Sequence, residues 1–372
     1  MAKAQLQSLL DRGVRVVDAG QVFVDDDVDP TRIHATAVLF PGTRLHGKRT
    51  WLGPGAQVAT EGPATLVDSV FGEGASIAGG YAKGVVLLRG ASLGFAGHAR
   101  EGTILEEEAS TAHAVGLKQT ILLSFVTLGS LINFCDVLMA GGTSRKDHSE
   151  VGSGFIHFNF TPWGKAGDKA TPSLIGDAVD GVLLRQKRIF LGGSSGLVGP
   201  RAVGYGSITG AGQVVRRDVG AGRLVVHTGS AVDEPLDSPR DERIDKVVGK
   251  NVTYIANLHA LRAWYAEVRA ARARRANAAD LVVVYEEAIR NLDVCLAERV
   301  TRLENYLAER GRKLPRLTPP AVPVFPLSID QGAGVEHVKW VQSLSAADAA
   351  QARAWLVAIA GDVQHALLAD PA

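Results

Sequence analysis

The chain has 372 residues, of which 46% are hydrophobic, enough to bury a sizeable core. With 40 basic and 39 acidic residues its formal net charge is +1, so composition favours neither nucleic acid nor an anionic membrane as a partner. The 42 glycines and an aromatic content of only 6% indicate many tight turns and thin layers of side chains.

The cysteine content and the N-terminal segment predict a cytoplasmic protein. Two cysteines are too few for a disulfide framework or a thiolate zinc site. The N-terminal segment lacks the apolar core of a secretory signal. The window at 121–140, ILLSFVTLGSLINFCDVLMA, is long enough to cross a bilayer and holds one charge, Asp136. Its β-branched and polar residues, without an aromatic belt, favour buried β structure instead.

A six-residue repeat begins near residue 33. Six residues match neither the period of a strand nor that of a helix. Three hexapeptides that form one triangular coil, each with one inward apolar residue and a small residue at each corner, explain the spacing. The pattern predicts a mainly β protein and resembles the left-handed parallel β-helix of hexapeptide repeats; a sandwich or barrel would space its strands at about 8–12 residues. The repeat positions are Ile33, Leu39, Leu45, Trp51, Leu52, Val58, Ala64, Val70, Leu128, Phe134, Ala140, Leu191, Leu197, Val203, Ile208 and Val214.

Two long interruptions break the repeat, at 141–151 and 158–173. Both exceed a six-residue step, so we expect them to leave the prism on either side of the coil segment VGSGFI. Loops on a rigid solenoid commonly carry binding and catalytic residues. The polar stretch from 141 to 169 is therefore the predicted functional site.

The character of the sequence changes after residue 219. We predict a lead-in segment over 1–30, a β-helix over 31–220, a proline- and charge-rich linker over 221–250 and a helical domain over 251–372, containing a helical hairpin and a terminal helix. Whether the helices pack on their own prism or on a neighbouring subunit stays open.

Within the helical domain, apolar spacing predicts three helices. The first carries Trp264 and Tyr265 as core residues, and its arginine run at 269–276 is expected on the solvated side. The second has steps of four and three that are typical of a helical seam. The last is predicted to run from Ser345, whose spacing to Asp348 fits a capping box, to about Leu368. The seam residues are Tyr285, Ile289, Leu292, Leu296, Val300, Leu303 and Leu307.

Four motifs resemble a known family. They are VGSG at 151–154, Asn159-Phe160, Ile175-Gly176-Asp177 and Arg217-Asp218-Val219, and the opening LLDRGVRVVDAGQVFVDDDVD agrees with them. Over about residues 9–220 the chain is similar to the acetyltransferase domain of the bifunctional N-acetylglucosamine-1-phosphate uridyltransferase and glucosamine-1-phosphate acetyltransferase family. No nucleotide-binding α/β unit precedes the repeat, so uridyltransferase activity is not expected.

The resemblance implies a homotrimer whose clefts lie between adjacent prisms and bind acetyl-CoA, or another acyl-CoA, together with a sugar phosphate or nucleotide sugar such as UDP-N-acetylglucosamine. Arg145, Lys146 and Lys169 suit the phosphate groups, since arginine binds phosphate in a bidentate way. Asn159 is the expected substrate contact.

The catalytic residues depart from the family pattern. Ser130 stands at the place of the family's catalytic histidine, and Phe160 replaces a tyrosine. We therefore predict His148 as the general base. Its sequence neighbour Asp147 cannot face it on a strand, so Asp136 is the expected orienting carboxylate. These residues do not indicate a metal site.

His157 has the phase of an inward residue, where a structural hydrogen bond and a substrate contact are both open interpretations. The predicted function is acyl-CoA-dependent transfer to an amino-sugar phosphate or nucleotide sugar. The alternative, favoured by the missing histidine, is a catalytically inactive nucleotide-sugar-binding or scaffold protein of the same fold.

Overall fold

The computed structural model describes residues 2–160, 169–226, 244–315, 321–330 and 334–368. Between residues 15 and 225 the backbone winds as a left-handed parallel β-helix of about eleven turns, as the repeat predicted. Helices follow it, which confirms the fold class. Each side of the triangular prism is a parallel sheet whose strands come from successive coils.

The three faces are numbered in the order in which each coil passes through them. The first face consists of Arg15–Val16, Val38–Leu39, Gln57–Val58, Ser76–Ile77, Ser92–Leu93, Ser110–Thr111, Thr127–Leu128, Glu150–Val151, Phe190–Leu191, Ile208–Thr209 and Leu224–Val225. The second consists of Phe23–Val24, Thr43–His46, Ala64–Val67, Gly80–Lys83, Gly97–Ala99, Ile156–Phe158, Gly196–Val198 and Val214–Val215. The third consists of Trp51–Leu52, Val70–Phe71, Val85–Leu87, Thr103–Leu105, Ser173–Ile175 and Ala202–Val203. Gly116–Leu122 and Asn133–Met139 turn the corner between the second and third faces and belong to both.

The interior of the prism is a ladder of apolar side chains. Leu39 stacks on Val58 in the first face, Leu45 on Leu66 in the second and Leu52 on Phe71 in the third. All six belong to one buried core cluster. This stacking explains the repeat, because every coil must present an inward apolar residue on each of the three faces of the prism.

Five repeat residues do not point inward as predicted. Leu52, Phe71 and Met139 fill the interior, while Trp51, Val70 and Ala140 face outward into a second apolar cluster shared with the helices. Near the end of the prism Ile208 and Val214 are exposed. Their neighbours Thr209 and Val215 are the buried members of those strands. The inward residues are not always six positions apart in the sequence. A strict six-residue period therefore comes to lie one residue away from the true inward position.

Seven α-helices lie among the described residues. They are α1 Ala2–Asp11, α2 Ala178–Gly181, α3 Ile244–Ala263, α4 Ala271–Arg275, α5 Ala279–Ala308, α6 His337–Ser343 and α7 Ala346–Leu368. A π-helical segment, Trp264–Ala270, joins α3 to α4, and 3₁₀ turns lie at Ala19–Gln21 and Pro30–Arg32.

The C-terminal helices pack on the third face of their own prism. Outward residues of that face, including Val86, Ile104 and Ile121, share a buried cluster with Trp264 and Tyr265. The apolar window 121–140 is thus β structure that winds once around the prism, with most of its apolar side chains buried in the interior or against the helices and Leu131 exposed. Among the residues described, no helix is both long and apolar enough to span a bilayer.

The predicted arginine run is solvated only at its end, where Arg274 and Arg275 are exposed. Arg269 and Arg272, expected on the same solvated side, are buried: Arg269 pairs with two carboxylates of the prism and Arg272 stacks on Trp340. The terminal helix has the predicted cap, since the Ser345 hydroxyl accepts a hydrogen bond from the Asp348 backbone N–H at 3.0 Å.

Candidate functional site

The inserted loop at 141–149 folds back onto the preceding coils. Arg145 anchors it, since its guanidinium donates to the carbonyl oxygens of Glu108 at 2.8 Å and Phe125 at 3.2 Å and also contacts the Thr127 hydroxyl. Within the loop, the Thr143 N–H donates to the Asp147 carbonyl at 2.9 Å. The loop is therefore an ordered turn at the corner between the third and first faces.

His148 is held in one orientation by this turn. Its Nδ1–H donates to the Arg145 carbonyl at 2.9 Å, and its Nε2 lies 3.9 Å from a carboxylate oxygen of Glu150. With the proton fixed on Nδ1, Nε2 keeps its lone pair and can accept a proton. This is the arrangement that a general base requires.

A pocket of about 450 Å³ opens beside His148. Its walls combine a basic pair with apolar side chains from two coils of the first face. The lining residues are Asp147, His148, Glu150, Lys187, Arg188, Phe190, Gly206 and Ile208. We call it the loop pocket. Its volume falls in the range of about 300–1,000 Å³ that is typical of small-molecule sites.

Lys187 and Arg188 were not predicted from the sequence as site residues. They come from the segment between α2 and the strand Phe190–Leu191, a third interruption of the repeat. The side chain of Asp177 caps α2 by accepting a hydrogen bond from the Asp180 N–H at 2.8 Å, and the chain leaves the prism at this helix. The signal available in the sequence was the basic run RQKR at 185–188, directly before a strand of the prism.

The three basic residues predicted to bind phosphate lie in different parts of the structure. The Arg145 guanidinium is occupied by backbone carbonyls of earlier coils, so its charge serves the anchoring of the loop. Lys146 is exposed at the tip of the same loop. Lys169 is exposed too, directly after residues 161–168, which lie outside the described part of the chain. The structure does not bring these three side chains to one point.

Asp136 and Asn159 meet at another corner, between the second and third faces. The Asp136 carboxylate lies 3.0 Å from the Arg299 guanidinium of α5 and accepts from the Asn159 amide at 3.2 Å. Arg299 also donates to Gln119, which occupies the same corner one coil earlier. Burial raises the pKa of the Asp136 carboxyl despite the charge of Arg299 beside it.

Asp136 is therefore bound to the helical domain and does not orient His148. The carboxylate next to His148 is Glu150. The reason is topological: the strand segment 137–139 crosses the whole third face between the corner that holds Asp136 and the loop that holds His148.

His157 points into the prism, at the level of Phe134 in one neighbouring coil and Leu197 in the other. Its Nδ1–H donates to the Cys135 carbonyl at 2.6 Å, and its Nε2 accepts from the Ser173 hydroxyl at 2.8 Å. Burial lowers the pKa of His157 from 6.5 to about 4, so the ring is neutral at physiological pH. Both ring nitrogens are satisfied inside the prism.

Ser130, at the place of the family's histidine, lies at the corner between the first and second faces. Its hydroxyl is 2.9 Å from Nδ1 of His113, which stands at the same corner one coil earlier. His113 precedes Ser130 in the chain, whereas the histidines predicted as replacements, His148 and His157, follow it. Within the described ranges, no three His, Cys, Asp or Glu side chains are grouped to hold a metal ion.

Comparison with known proteins supports the resemblance seen in the motifs. No protein-family model matches the chain. It is 30% identical over 218 residues to the bifunctional protein GlmU of Mycobacterium sp. (strain KMS), covering 59% of this chain and 38% of that protein. GlmU of Paenarthrobacter aurescens (strain TC1) is 30% identical over 222 residues, and that of Fervidobacterium nodosum is 29% identical over 215, with 39% and 41% of those proteins covered.

Among solved structures, the crystal structure of the polySia specific acetyltransferase NeuO aligns with 58% of this chain and 85% of its own. A TM-score of 0.15 at 9% identity is too low to support an argument. The chain thus spans about two fifths of the length of the curated relatives it matches. It is similar to the C-terminal part of the bifunctional protein GlmU, which confirms the family resemblance predicted from its motifs.

Proposed function

We propose that the chain is an acyltransferase that moves an acyl group from acetyl-CoA, or another acyl-CoA, to the amine or hydroxyl of an amino-sugar phosphate or nucleotide sugar. The observation that carries this proposal is the orientation of His148. Its Nδ1–H is fixed on a backbone carbonyl, and its other nitrogen lies beside Glu150 in a pocket with two basic side chains.

His148 acts as the general base in this mechanism. The acceptor amine attacks the carbonyl carbon of the thioester while His148 Nε2 takes the amine proton. The C–S bond then breaks, and the His148 imidazolium returns its proton to the leaving thiolate, which gives free CoA and the neutral base. Glu150, 3.9 Å from Nε2, stabilises the imidazolium that forms between these two events.

Lys187 and Arg188 provide the positive charge for the phosphate of the acceptor. Arg188 lies 3.5 Å from Asp147 and is 61% exposed, so a phosphate that displaces this weak ion pair loses little. Phe190 and Ile208 supply an apolar wall beside the charges. Asn159, Asp136, His157 and Lys169 lie outside this pocket, and the proposal gives them no part in the chemistry at His148.

The proposal includes a homotrimer in the cytoplasm. The helices cover the third face, which leaves the first and second faces to meet neighbouring prisms. Phe190, Ile208 and Leu224 are exposed on the first face, and apolar side chains of this kind favour a contact with another subunit. In such an assembly a second prism would complete the loop pocket.

A second candidate is a catalytically inactive protein that binds a nucleotide sugar or acts as a scaffold. It is favoured by Ser130 and Phe160, which stand where the family has a histidine and a tyrosine. Under this alternative the loop pocket binds its ligand through Lys187 and Arg188, and no acyl group is transferred.

Titration calorimetry with acetyl-CoA and with UDP-N-acetylglucosamine separates the two candidates. The acyltransferase binds both ligands and releases thiol when glucosamine 1-phosphate is added as a probe acceptor. His148→Gln should lower kcat by about 100-fold or more while acetyl-CoA still binds, because only the base is removed. The matched control is His365→Gln, an exposed histidine on α7, which should leave kcat unchanged.

Absence of acetyl-CoA binding at millimolar concentration would reject the acyltransferase, and binding of the UDP-sugar alone would support the second candidate. Turnover that survives His148→Gln would reject the assignment of the base while leaving the activity in place.

A further inference from the structure

A polar ladder lies at the corner between the first and second faces. His113, Ser130 and Ser153 occupy equivalent positions in three successive coils. The backbone shows this register, since the Leu131 N–H donates to the His113 carbonyl at 3.1 Å and the Gly154 N–H to the Ser130 carbonyl at 2.8 Å. Neither His148 nor any other residue of the loop pocket belongs to the ladder.

The middle of the ladder is a serine–histidine pair. The Ser130 hydroxyl lies 2.9 Å from Nδ1 of His113, within the distance at which an imidazole activates a nucleophile. When His113 carries its proton on Nε2, Nδ1 accepts the hydroxyl hydrogen of Ser130. His113 is exposed and Ser130 half-buried, so both are open to a substrate.

A cleft of about 440 Å³ begins at Ala114 and Leu131, the residues that follow His113 and Ser130. Its floor is open because Gly116 has no side chain where the neighbouring coils place His98 and Asn133. The Asn133 amide lines the cleft and can donate a hydrogen bond to a developing oxyanion. Arg100, also in the lining, adds a positive charge.

Ser153 holds the nucleophile from the next coil. Its Oγ accepts from the Ser130 backbone N–H at 3.0 Å. This contact leaves the Ser153 hydroxyl hydrogen available as a second donor beside the reacting carbonyl. The corner thus combines a nucleophile, a base and the Ser153 hydroxyl, and the adjoining cleft adds the Asn133 amide and, beyond the far end of the strand Gly97–Ala99, the cation of Arg100. These are the groups that covalent acyl transfer uses.

We propose that Ser130, activated by His113, is a nucleophile that becomes acylated by an ester or thioester carrying an anionic group. This activity is separate from the proposed function, because it requires neither His148 nor a sugar acceptor. Ser130 Oγ attacks the carbonyl carbon and His113 takes the hydroxyl proton. The bond from the carbonyl carbon to the leaving oxygen or sulfur breaks, and His113 returns the proton to the departing alcohol or thiol. Water then attacks the acyl-serine, which releases the carboxylic acid and regenerates Ser130.

The test is labelling of the full chain with a fluorophosphonate, followed by proteolysis and mass spectrometry to locate the modified residue. A serine esterase labelled in parallel sets the exposure time. We expect the phosphonate on Ser130, no label there in Ser130→Ala, and a rate about 100-fold lower in His113→Gln because the base is lost. The matched control is Ser92→Ala, a half-buried serine on the first face away from the cleft.

Three results would overturn the proposal: an unlabelled Ser130 in the folded protein when the esterase is fully labelled, equal labelling rates in wild type and His113→Gln, or a label on another residue. Site mapping on the wild type decides the first and third without any variant. Since the probe contains no CoA, the result does not depend on whether the chain binds acetyl-CoA.

Discussion

His157 is a polar side chain in a position that the fold reserves for apolar ones. It is accommodated because each ring nitrogen has a partner: the Cys135 carbonyl on one side and the Ser173 hydroxyl on the other. The cost appears when the ring must be charged, since burial disfavours the imidazolium and the Ser173 hydroxyl can no longer donate to a protonated Nε2. The histidine therefore makes the prism sensitive to acid.

Acid should destabilise the protein through His157. Well above pH 6.5 the ring is neutral in both the folded and the unfolded chain and contributes nothing to the pH dependence of stability. As the pH falls from 6.5 towards 4, the unfolded chain binds a proton that the folded chain excludes, so stability is lost. At pH 4.5 the loss amounts to about 2–3 kcal/mol.

Urea denaturation at pH 7 and pH 4.5 measures this loss. In His157→Leu, the residue type found one coil later at Leu197, the pH-dependent decline should shrink by that amount. His365→Gln, on the surface of α7, should retain the whole decline. An unchanged decline in His157→Leu would contradict the prediction.

Helix α5 runs along the corner between the second and third faces and contacts several coils in turn. Glu287 pairs with Arg49, Asn291 accepts from the Gly102 N–H at 2.9 Å, and Arg299 reaches Asp136. Gly102 lies close against this helix, since a Cβ there would lie 2.8 Å from the Cys295 sulfur, and also 2.9 Å from Cγ of Gln119 in the next coil. Docking of the helix therefore depends on a glycine at this corner.

Gly102→Ala should lower the free energy of unfolding by about 2–4 kcal/mol, combining a left-handed backbone with overpacking against α5. The matched control is Gly74→Ala, which has a similar positive φ of 63° but no atom within 4 Å of the added Cβ. It should cost only the backbone term of about 1 kcal/mol. Equal losses in urea denaturation would show that α5 does not press on this corner.

The prism and the helical domain are joined by a buried ionic cluster as well as by apolar packing. Arg269, in the π-helical segment, contacts Glu107 at 2.6 Å and Glu106 at 3.1 Å. Tyr265 donates to Glu106 at 2.8 Å, and Ser124 supplies further hydrogen bonds. Burial raises the pKa of Glu106, whereas for Glu107 burial is outweighed by Arg269 and its hydrogen bonds, and the pKa is lowered. One arginine thus holds two carboxyl groups of different acidity.

Arg269→Met should destabilise the whole molecule by about 3–5 kcal/mol, because it leaves a carboxylate buried without its partner. Arg274→Met, five residues further on, removes an arginine whose ion pair with Glu286 is more than half exposed, and should cost less than about 1 kcal/mol. Thermal and urea unfolding of both variants measure the difference. Similar losses would mean that the cluster does not hold the two parts together.

The fold was predictable because the repeat is a local property of the chain. Every coil must place an apolar residue on each face of the prism, so the period is visible in the sequence without knowing which coils are neighbours. The cap at Ser345 and the seam of α5 were predictable for the same reason, since capping and helical spacing act over a few residues. The loop carrying His148 was found as an interruption of that period.

Contacts between distant segments required the tertiary structure. Arg269 looked solvated because its partners, Glu106 and Glu107, lie more than 160 positions earlier in the chain. Asp136 was assigned to His148, yet the corner geometry gives it to Arg299. Likewise, Lys187 lines the same pocket as His148, and His113 contacts Ser130, only because the coils stack. The sequence by itself determined the coil, two of its interruptions and the long C-terminal helices. Only the folded chain decided which charges meet, since burial and pairing depend on residues that stacking and docking bring together.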